Sequence, residues 1–175
     1  AIDDPAYSLG SEINEAVQRQ KESIWSELWD ESERAYFGKN ARTGEPIKKL
    51  TVGSILPLLV EQSAERTDRI LQQITDPDMF WTESPITSVA TNQPEFNPRQ
   101  YWRGGAWSLT RIFVFEALIR QGHFAIATDL AEKVLSQPHL LDFGEYNDAR
   151  TGEALGMMPF SPAAAEALVY VDYVT

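Results

Sequence analysis

The sequence has no cysteine, and this absence excludes disulfide cross-links and thiolate chemistry. It contains only two histidines, so a transition-metal site built from imidazole and thiolate ligands is not expected. No apolar run approaches the roughly 20 residues that a membrane-spanning helix needs. Fifteen Lys and Arg stand against 26 Asp and Glu, which gives a formal net charge of −11 and disfavours binding to a nucleic-acid backbone. We therefore expect no metal, no other cofactor, no nucleic-acid partner and no membrane association.

The composition is otherwise that of an ordinary soluble protein of 175 residues, with 43% hydrophobic and 23% charged residues. Five Trp, six Tyr and eight Phe are a generous supply of aromatic rings for a core or for a sugar-binding cleft. No linker-like composition divides the chain, so residues 1–175 are interpreted as one domain. A soluble protein is expected, with a cytoplasmic location favoured.

Helical spacing of apolar residues dominates the sequence and predicts about six helices, paired as hairpins. The first three predicted helices are 11–30 with Ser11 as N-cap, 52–60 with a bend at Pro57, and a helix that is capped by Ser63 and ends before 75–77. The fourth is 106–120, and the sixth begins at Ser161-Pro162. Between them, the fifth follows Gly122 and has one apolar stripe, formed by Phe124, Ala127, Ala131, Val134 and Leu135. Residues 106–120 are apolar nearly all round, which is typical of a buried helix.

Two long irregular segments interrupt these helices, at 78–103 and 137–160. Such long connections inside a compact domain are uncommon and often functional. The first leads into Tyr101-Trp102-Arg103-Gly104 and then Trp107. Aromatic faces can cover the C–H patches of a pyranose, and an arginine can donate to its hydroxyls. The alternative is that these rings belong to the core, above all Trp107 within its predicted helix.

The second segment carries Glu145 between Phe143 and Tyr146, beside a glycine. Such surroundings suit a partly desolvated carboxylate that acts as an acid or a base. For an isolated glutamate, a solvated loop acid is the commoner situation. Asp148 and Arg150 are predicted to form a turn around 151–152.

The ordered set of motifs resembles a clan of enzymes. The segments that carry the resemblance are Leu56-Pro57-Leu58, Phe80-Trp81, 85–89, the Tyr101–Gly104 run with Trp107, and Glu145-Tyr146 with Thr151-Gly152-Glu153. From about Ile13 to Val174 they resemble the inverting (α/α)₆ glycoside hydrolases, in the bacterial branch of the family of processing α-glucosidase I. The clan also contains trehalase and the mannosylglycerate and glucosylglycerate hydrolases.

The resemblance implies an all-α fold of the six-hairpin glycosidase type, with this chain as the C-terminal half of the (α/α)₆ toroid. It implies an enzyme that cleaves α-glucosidic or α-mannosidic bonds with inversion, in an α-linked oligosaccharide or a glucosyl or mannosyl glycoside. Glu145 falls on the general base, while the catalytic acid of such enzymes is an Asp upstream of every matched motif. The N-terminal half of the barrel is therefore an expected partner. The implied substrate-binding residues are Tyr101, Trp102, Arg103, Gly104, Trp107 and Tyr146.

Three residues depart from the pattern of the clan: Gly105 where Pro is common, Arg111 where Asn is common, and Pro162 where Trp is usual. A buried Arg111 would need a carboxylate, and Glu116 does not have the i+4 spacing for that pairing. These departures keep open a second interpretation, a non-catalytic helical module that binds carbohydrate or protein. A toroid of the isoprenoid-cyclase type is disfavoured because there is no Asp-rich magnesium motif.

Overall fold

In the computed structural model the described residues are 9–175, so the first eight residues of the predicted domain lie outside them. Helices dominate this part of the chain, as predicted. The α-helices are α1 (Leu9–Ser23), α2 (Val52–Ile55), α3 (Ala64–Thr75), α4 (Ser108–Arg120), α5 (Phe124–Leu135) and α6 (Ser161–Val174). The strands have two residues each: β1 (Trp29–Asp30), β2 (Ala35–Tyr36), β3 (Gly38–Lys39), β4 (Pro46–Ile47), β5 (Ala106–Trp107), β6 (Tyr146–Asn147) and β7 (Ala154–Leu155). They pair as β1–β2, β3–β4 and β5–β6–β7, all antiparallel.

The first helix differs from its prediction at both ends. It includes Leu9, so Ser11 lies inside the helix and the prediction that Ser11 caps it is wrong. A π-helical turn, Ile24–Leu28, follows α1, and Trp29 is then extended, at φ −78° and ψ 126°. The Asp30 carboxylate accepts the backbone N–H of Ser32 at 2.9 Å and closes the β1–β2 turn. This side-chain bond ends the helix before Asp30.

The second and third helices follow the sequence closely. At the start of α2, Ser54 Oγ accepts the backbone N–H of Thr51 at 3.3 Å. Because Pro57 has no amide hydrogen to donate, the chain continues as a 3₁₀ helix, Leu56–Leu59. Ser63 caps α3 as predicted, with its Oγ accepting the backbone N–H of Arg66 at 3.4 Å.

The fourth helix begins at Ser108, two residues later than predicted, because Ala106 and Trp107 form β5. The prediction that Trp107 lies inside the helix is therefore wrong. Helical periodicity cannot reveal this, since β5 pairs with β6, some 40 residues further along the chain. At the other end of α4, Gly122 has φ 80° and reverses the chain into α5.

One hydrophobic cluster holds the described elements together. α4 packs against α5, α6 and the 3₁₀ helix. The fully enclosed side chains of this cluster include Tyr36, Ile55, Leu58, Ile70, Ile74, Phe80, Ile86, Leu118, Leu130 and Tyr170. The core therefore draws on α3, α4, α5 and α6 and also on the start of the 78–103 segment.

The helices do not bury all of their apolar residues. On α4, Leu109 and Phe113 are exposed, so the contacts within the described chain do not bury this helix on every side. On α6, Leu168 and Val171 are exposed as well, Leu168 to 71%. We call these four residues the exposed helix faces. In the part of the chain that the structure describes, no helix is long and apolar enough to cross a membrane.

Candidate active site

The two long irregular segments meet through a small three-stranded sheet. β5, directly after the first segment, pairs with β6 of the second, with Ala106 opposite Asn147 and Trp107 opposite Tyr146. Further backbone bonds join the segments beside this sheet: Ser84 N–H donates to Ala149 O at 3.0 Å. The convergence expected of a site shared by these segments is therefore present.

Two glycines allow the chain to enter β5. A Cβ on Gly104 would lie 2.3 Å from the carbonyl oxygen of Asn97, and one on Gly105 would lie 2.6 Å from the Tyr146 ring. Gly104 N–H also donates to Ser88 Oγ at 2.9 Å. Side chains are thus excluded sterically at both positions, which explains the adjacent glycines.

Four aromatic rings form a stack at this junction. The Trp102 and Trp107 indoles are parallel with centroids 4.2 Å apart, and Tyr146 stacks on Trp107 at 5.2 Å. Tyr101 stands edge-on to Trp107 at 4.5 Å, and its carbonyl accepts the Trp107 indole N–H at 2.9 Å. Trp107 is only 4% exposed, whereas Trp102 is 51% and Tyr101 46% exposed. Trp107 therefore supports the stack from within, and Trp102 and Tyr101 offer the accessible ring surface.

The Glu145 carboxylate lies against this stack and is held at both oxygens. Oε1 accepts the Tyr101 hydroxyl at 2.7 Å, and Oε2 accepts the backbone N–H of Met157 at 3.2 Å. The hydrogen bond to Glu145 raises the pKa of Tyr101 above its ordinary value. Donors on two sides fix the orientation of the carboxylate, while each oxygen keeps a second lone pair for another ligand.

Gly156 makes room for this carboxylate. A Cβ at Gly156 would lie 2.6 Å from Glu145 Oε2, and the backbone has φ 76°, a conformation that favours glycine. The spacing of Gly156 and Met157 in the sequence does not indicate that they contact Glu145.

The other substrate-binding candidate, Arg103, is exposed at the surface. Its backbone closes the turn beside the stack: Arg103 N–H donates to Gln100 O at 2.9 Å, and Asn97 N–H donates to Arg103 O at 2.7 Å. Arg103 is thus a solvent-exposed residue of this turn, next in sequence to the exposed Trp102.

The remaining acids of the second segment are engaged in local structure. Asp148 is buried and accepts the backbone N–H groups of Arg150 and Thr151 at 2.8 and 3.2 Å, which confirms the predicted turn. Arg99 pairs with Asp148 at 3.1 Å and also contacts Glu153. Asp142 pairs with a histidine three residues earlier. Arg99 thus joins the first segment to the second at the side of the sheet.

The carboxylate that Arg111 requires comes from α6. Glu166 binds the guanidinium through both oxygens at 2.7 Å, and both residues are 2% exposed. Burial acts to lower the pKa of Arg111, but the Glu166 carboxylate outweighs it and raises the pKa. Glu116 instead pairs with Arg120 on the surface of α4. An acidic residue within the apolar α6 sequence was the signal for Glu166.

Comparison with known proteins identifies the family of this chain. Residues 4–162 match the family described as mannosylglycerate hydrolase MGH1-like glycoside hydrolase domain. The chain belongs to this family.

Two curated relatives agree with that membership. A mannosylglycerate hydrolase of Thermus thermophilus is 32% identical over 91% of this chain and 38% of its own length. A glucosylglycerate hydrolase of Mycolicibacterium hassiacum is 30% identical over 67% of this chain and 28% of its own length. The chain thus spans well under half the length of the relatives that it matches.

A solved structure shows the same fold. The family 63 mannosylglycerate hydrolase of Thermus thermophilus in complex with glucose superposes with a TM-score of 0.81 at 31% identity. The match covers 92% of this chain and 41% of that chain. This MGH1-like domain therefore has the helical-hairpin architecture of the (α/α)₆ toroid glycosidases, with only small sheets added.

Proposed function

We propose that this MGH1-like domain forms the C-terminal half of the catalytic barrel of an inverting glycoside hydrolase, with Glu145 as the general base. The observation that carries the proposal is the Glu145 carboxylate, held by the Tyr101 hydroxyl and the Met157 amide beside the exposed Trp102. The substrates we propose are α-mannosyl or α-glucosyl glycosides, after the names of the two curated relatives.

The reaction would be a single displacement. Glu145 accepts a proton from a water molecule as the water oxygen bonds to the anomeric carbon. The bond from that carbon to the glycosidic oxygen breaks on the opposite face, and a second carboxyl group protonates the leaving oxygen. The two carboxyl groups of inverting enzymes stand roughly 6.5–9.5 Å apart, which leaves room for the water. The fixed orientation of Glu145 suits this role, because a general base must point a lone pair at one bound water.

The sugar would rest against the exposed part of the ring stack. Trp102 and Tyr101 supply accessible faces and edges for its C–H surface, and the Arg103 guanidinium supplies donors for its hydroxyls. Trp107 and Tyr146 would act mainly from behind, by supporting Trp102 and Tyr101. Gly104 would shape the turn that presents these residues.

The acid would come from the N-terminal half of the barrel. In the second segment the two aspartates are already paired, Asp148 with Arg99 and Asp142 with a histidine. The chain covers 38% of the Thermus relative, so most of a barrel of that length lies outside it. The exposed helix faces on α4 and α6 would pack against this other half, because large apolar side chains are stabilised by leaving water.

A cytoplasmic location stays a prediction.

The experiment is the substitution Glu145→Gln in the whole protein, assayed on α-mannosyl and α-glucosyl glycosides. Loss of a general base should lower kcat by about 10²–10⁴-fold while the melting temperature changes little. The matched control is Glu83→Gln, the same change at an exposed residue of the first segment that pairs with Lys133. Proton NMR of the first product should show the anomer opposite to that of the substrate.

The same assay tests the alternative of a non-catalytic module. Asp148 contacts Arg99, and Asp142 contacts a histidine, so neither aspartate of the second segment is an obvious catalytic acid. If the protein has no other half of a barrel, this favours the non-catalytic module. Sugar binding without turnover in the whole protein would support the module. An unchanged kcat in Glu145→Gln would remove Glu145 from the mechanism.

A further inference from the structure

A buried guanidinium joins four segments of the chain, one of which is β6, the strand directly after Glu145. From α4, Arg111 binds Glu166 of α6 through two parallel bonds of 2.7 Å. Its Nη1 donates to Ser84 Oγ at 3.1 Å, and its Nη2 donates to the side-chain oxygen of Asn147 at 3.2 Å. One side chain thus contacts the first segment, β6 and α6 at the same time.

The contact with β6 is closely connected to Glu145. Asn147 lies two residues after Glu145 and pairs through its backbone with Ala106 of β5. Its side-chain N–H₂ donates to Gly152 O at 3.1 Å, so the amide is held from both ends. The other partner of the guanidinium, Ser84, donates its backbone N–H to Ala149 O, which is again in the second segment.

We infer that Arg111, anchored by Glu166, is a positioning residue that fixes β6, the strand directly after Glu145, relative to the helices. This inference rests on the proposed role of Glu145 as base. A buried ion pair is a weak source of net stability, because desolvation offsets much of the attraction. What the planar guanidinium supplies in addition is several donors in a fixed fork, which a flexible ammonium cannot reproduce.

The test is Arg111→Lys in the whole protein, which keeps the positive charge for Glu166 and loses the fork to Ser84 and Asn147. We expect kcat to fall about 10–100-fold, since a small misplacement of a catalytic group is costly, and KM to stay within about twofold. The matched control is Arg120→Lys, the same change on the same helix in the exposed pair with Glu116, which should leave kcat unchanged.

A double-mutant cycle separates positioning from a loss of folded protein. If Arg111 acts through Glu145, the further loss caused by Glu145→Gln must be smaller in the Arg111→Lys background than in the wild type. If Arg111→Lys merely reduces the folded fraction, the two losses multiply, and the inference is overturned. An unchanged kcat in Arg111→Lys overturns it as well.

Where Arg111→Lys does not fold, Asn147→Ala serves instead, because it leaves the Arg111–Glu166 ion pair intact and removes its link to β6, together with the bond from Asn147 to Gly152. The same reduced effect of Glu145→Gln is then expected, and multiplying losses again contradict the inference. Failure of the proposed function is distinguishable: in that case Glu145→Gln alone has no effect. If Glu145→Gln alone is damaging and the losses multiply, only the positioning role fails.

Discussion

The junction of the two irregular segments and the exposed helix faces of α4 and α6 differ in where their side chains find contacts. At the junction, the Glu145 carboxylate has donors at both oxygens, Asp148 has backbone donors and Arg99, and Trp107 is enclosed by other rings. On the helices, Leu168 and Phe113 meet solvent. The junction makes its contacts within the chain, whereas the helix faces still lack apolar neighbours.

This difference has a physical cause. Hydrogen bonds and ring stacks depend on distance and direction, so residues that stand next to one another in a small sheet can complete them. A hydrophobic face needs only apolar area, which another part of a barrel can supply as well as this chain can. The proposed base is therefore oriented locally, while the stability of the helices and the second carboxyl group would depend on the other half.

Among the residues that surround Glu145 at the junction, the largest effect is expected for Gly156→Ala. The added Cβ would collide with Glu145 Oε2 at 2.6 Å and with Glu145 Cβ at 2.9 Å, so the carboxylate must move. A displacement of this size should lower kcat by about 10²-fold. Steady-state kinetics of the whole protein on the preferred glycoside gives the measurement.

Gly44→Ala is the matched control for that change. Gly44 has φ 72°, almost the same as Gly156, but a Cβ there would have no atom within 4 Å. The backbone strain is thus shared by the two variants and the collision is not. Similar kinetic losses in both would mean that strain, and not the position of Glu145, causes the effect.

On the helix faces, Leu168→Asp is expected to destabilise the whole protein by about 2 kcal/mol or more. Leu168 is 71% exposed in this chain, so the substitution would be harmless if α6 truly faced water. If the other half of the barrel covers it, an apolar contact is replaced by a desolvated charge. Chemical denaturation of the whole protein measures the difference.

Leu141→Asp provides the comparison for α6. Leu141 is exposed to a similar degree but belongs to a 3₁₀ turn, Leu140–Asp142, of the second irregular segment and not to α6. We expect a change within about 0.5 kcal/mol there, as for ordinary surface positions. Equal small costs at Leu168 and Leu141 would contradict the packing of α6 against another part of the protein.

The sequence predicted the helices and the two functional segments because their signals are local. Ser63 caps α3, Pro57 lies in the 3₁₀ helix that continues α2, and Gly122 forms the α4–α5 turn. The start of α4 was misjudged because the pairing of Trp107 with Tyr146 involves residues 39 positions apart, and neither residue alone indicates a strand. Periodicity along one segment does not contain that information.

The candidate site was predictable only in part, for a similar reason. Glu145 could be named from the motif in which it stands, but its partners, the Tyr101 hydroxyl and the Met157 amide, are 44 and 12 residues away in the chain. The need of Arg111 for a carboxylate followed from its place in an apolar helix. The identity of that carboxylate, Glu166, depended on how α4 and α6 pack.

The smallest effect is expected for Glu153→Gln at the edge of the junction, where exposed ion pairs contribute little. Arg99 lowers the pKa of Glu153, chiefly through its hydrogen bond, so the folded state favours the ionised carboxylate. The melting temperature should therefore fall slightly in the variant at pH 7, and the difference should fade as the pH drops below about 4.3, the unfolded value for Glu. It should also shrink at about 1 M salt, since the pair is exposed to solvent. A difference that does not shrink as the pH falls, or that persists in high salt, would show that Glu153 contributes through packing. The charges at the junction would then contribute less than the comparison with the helix faces implies.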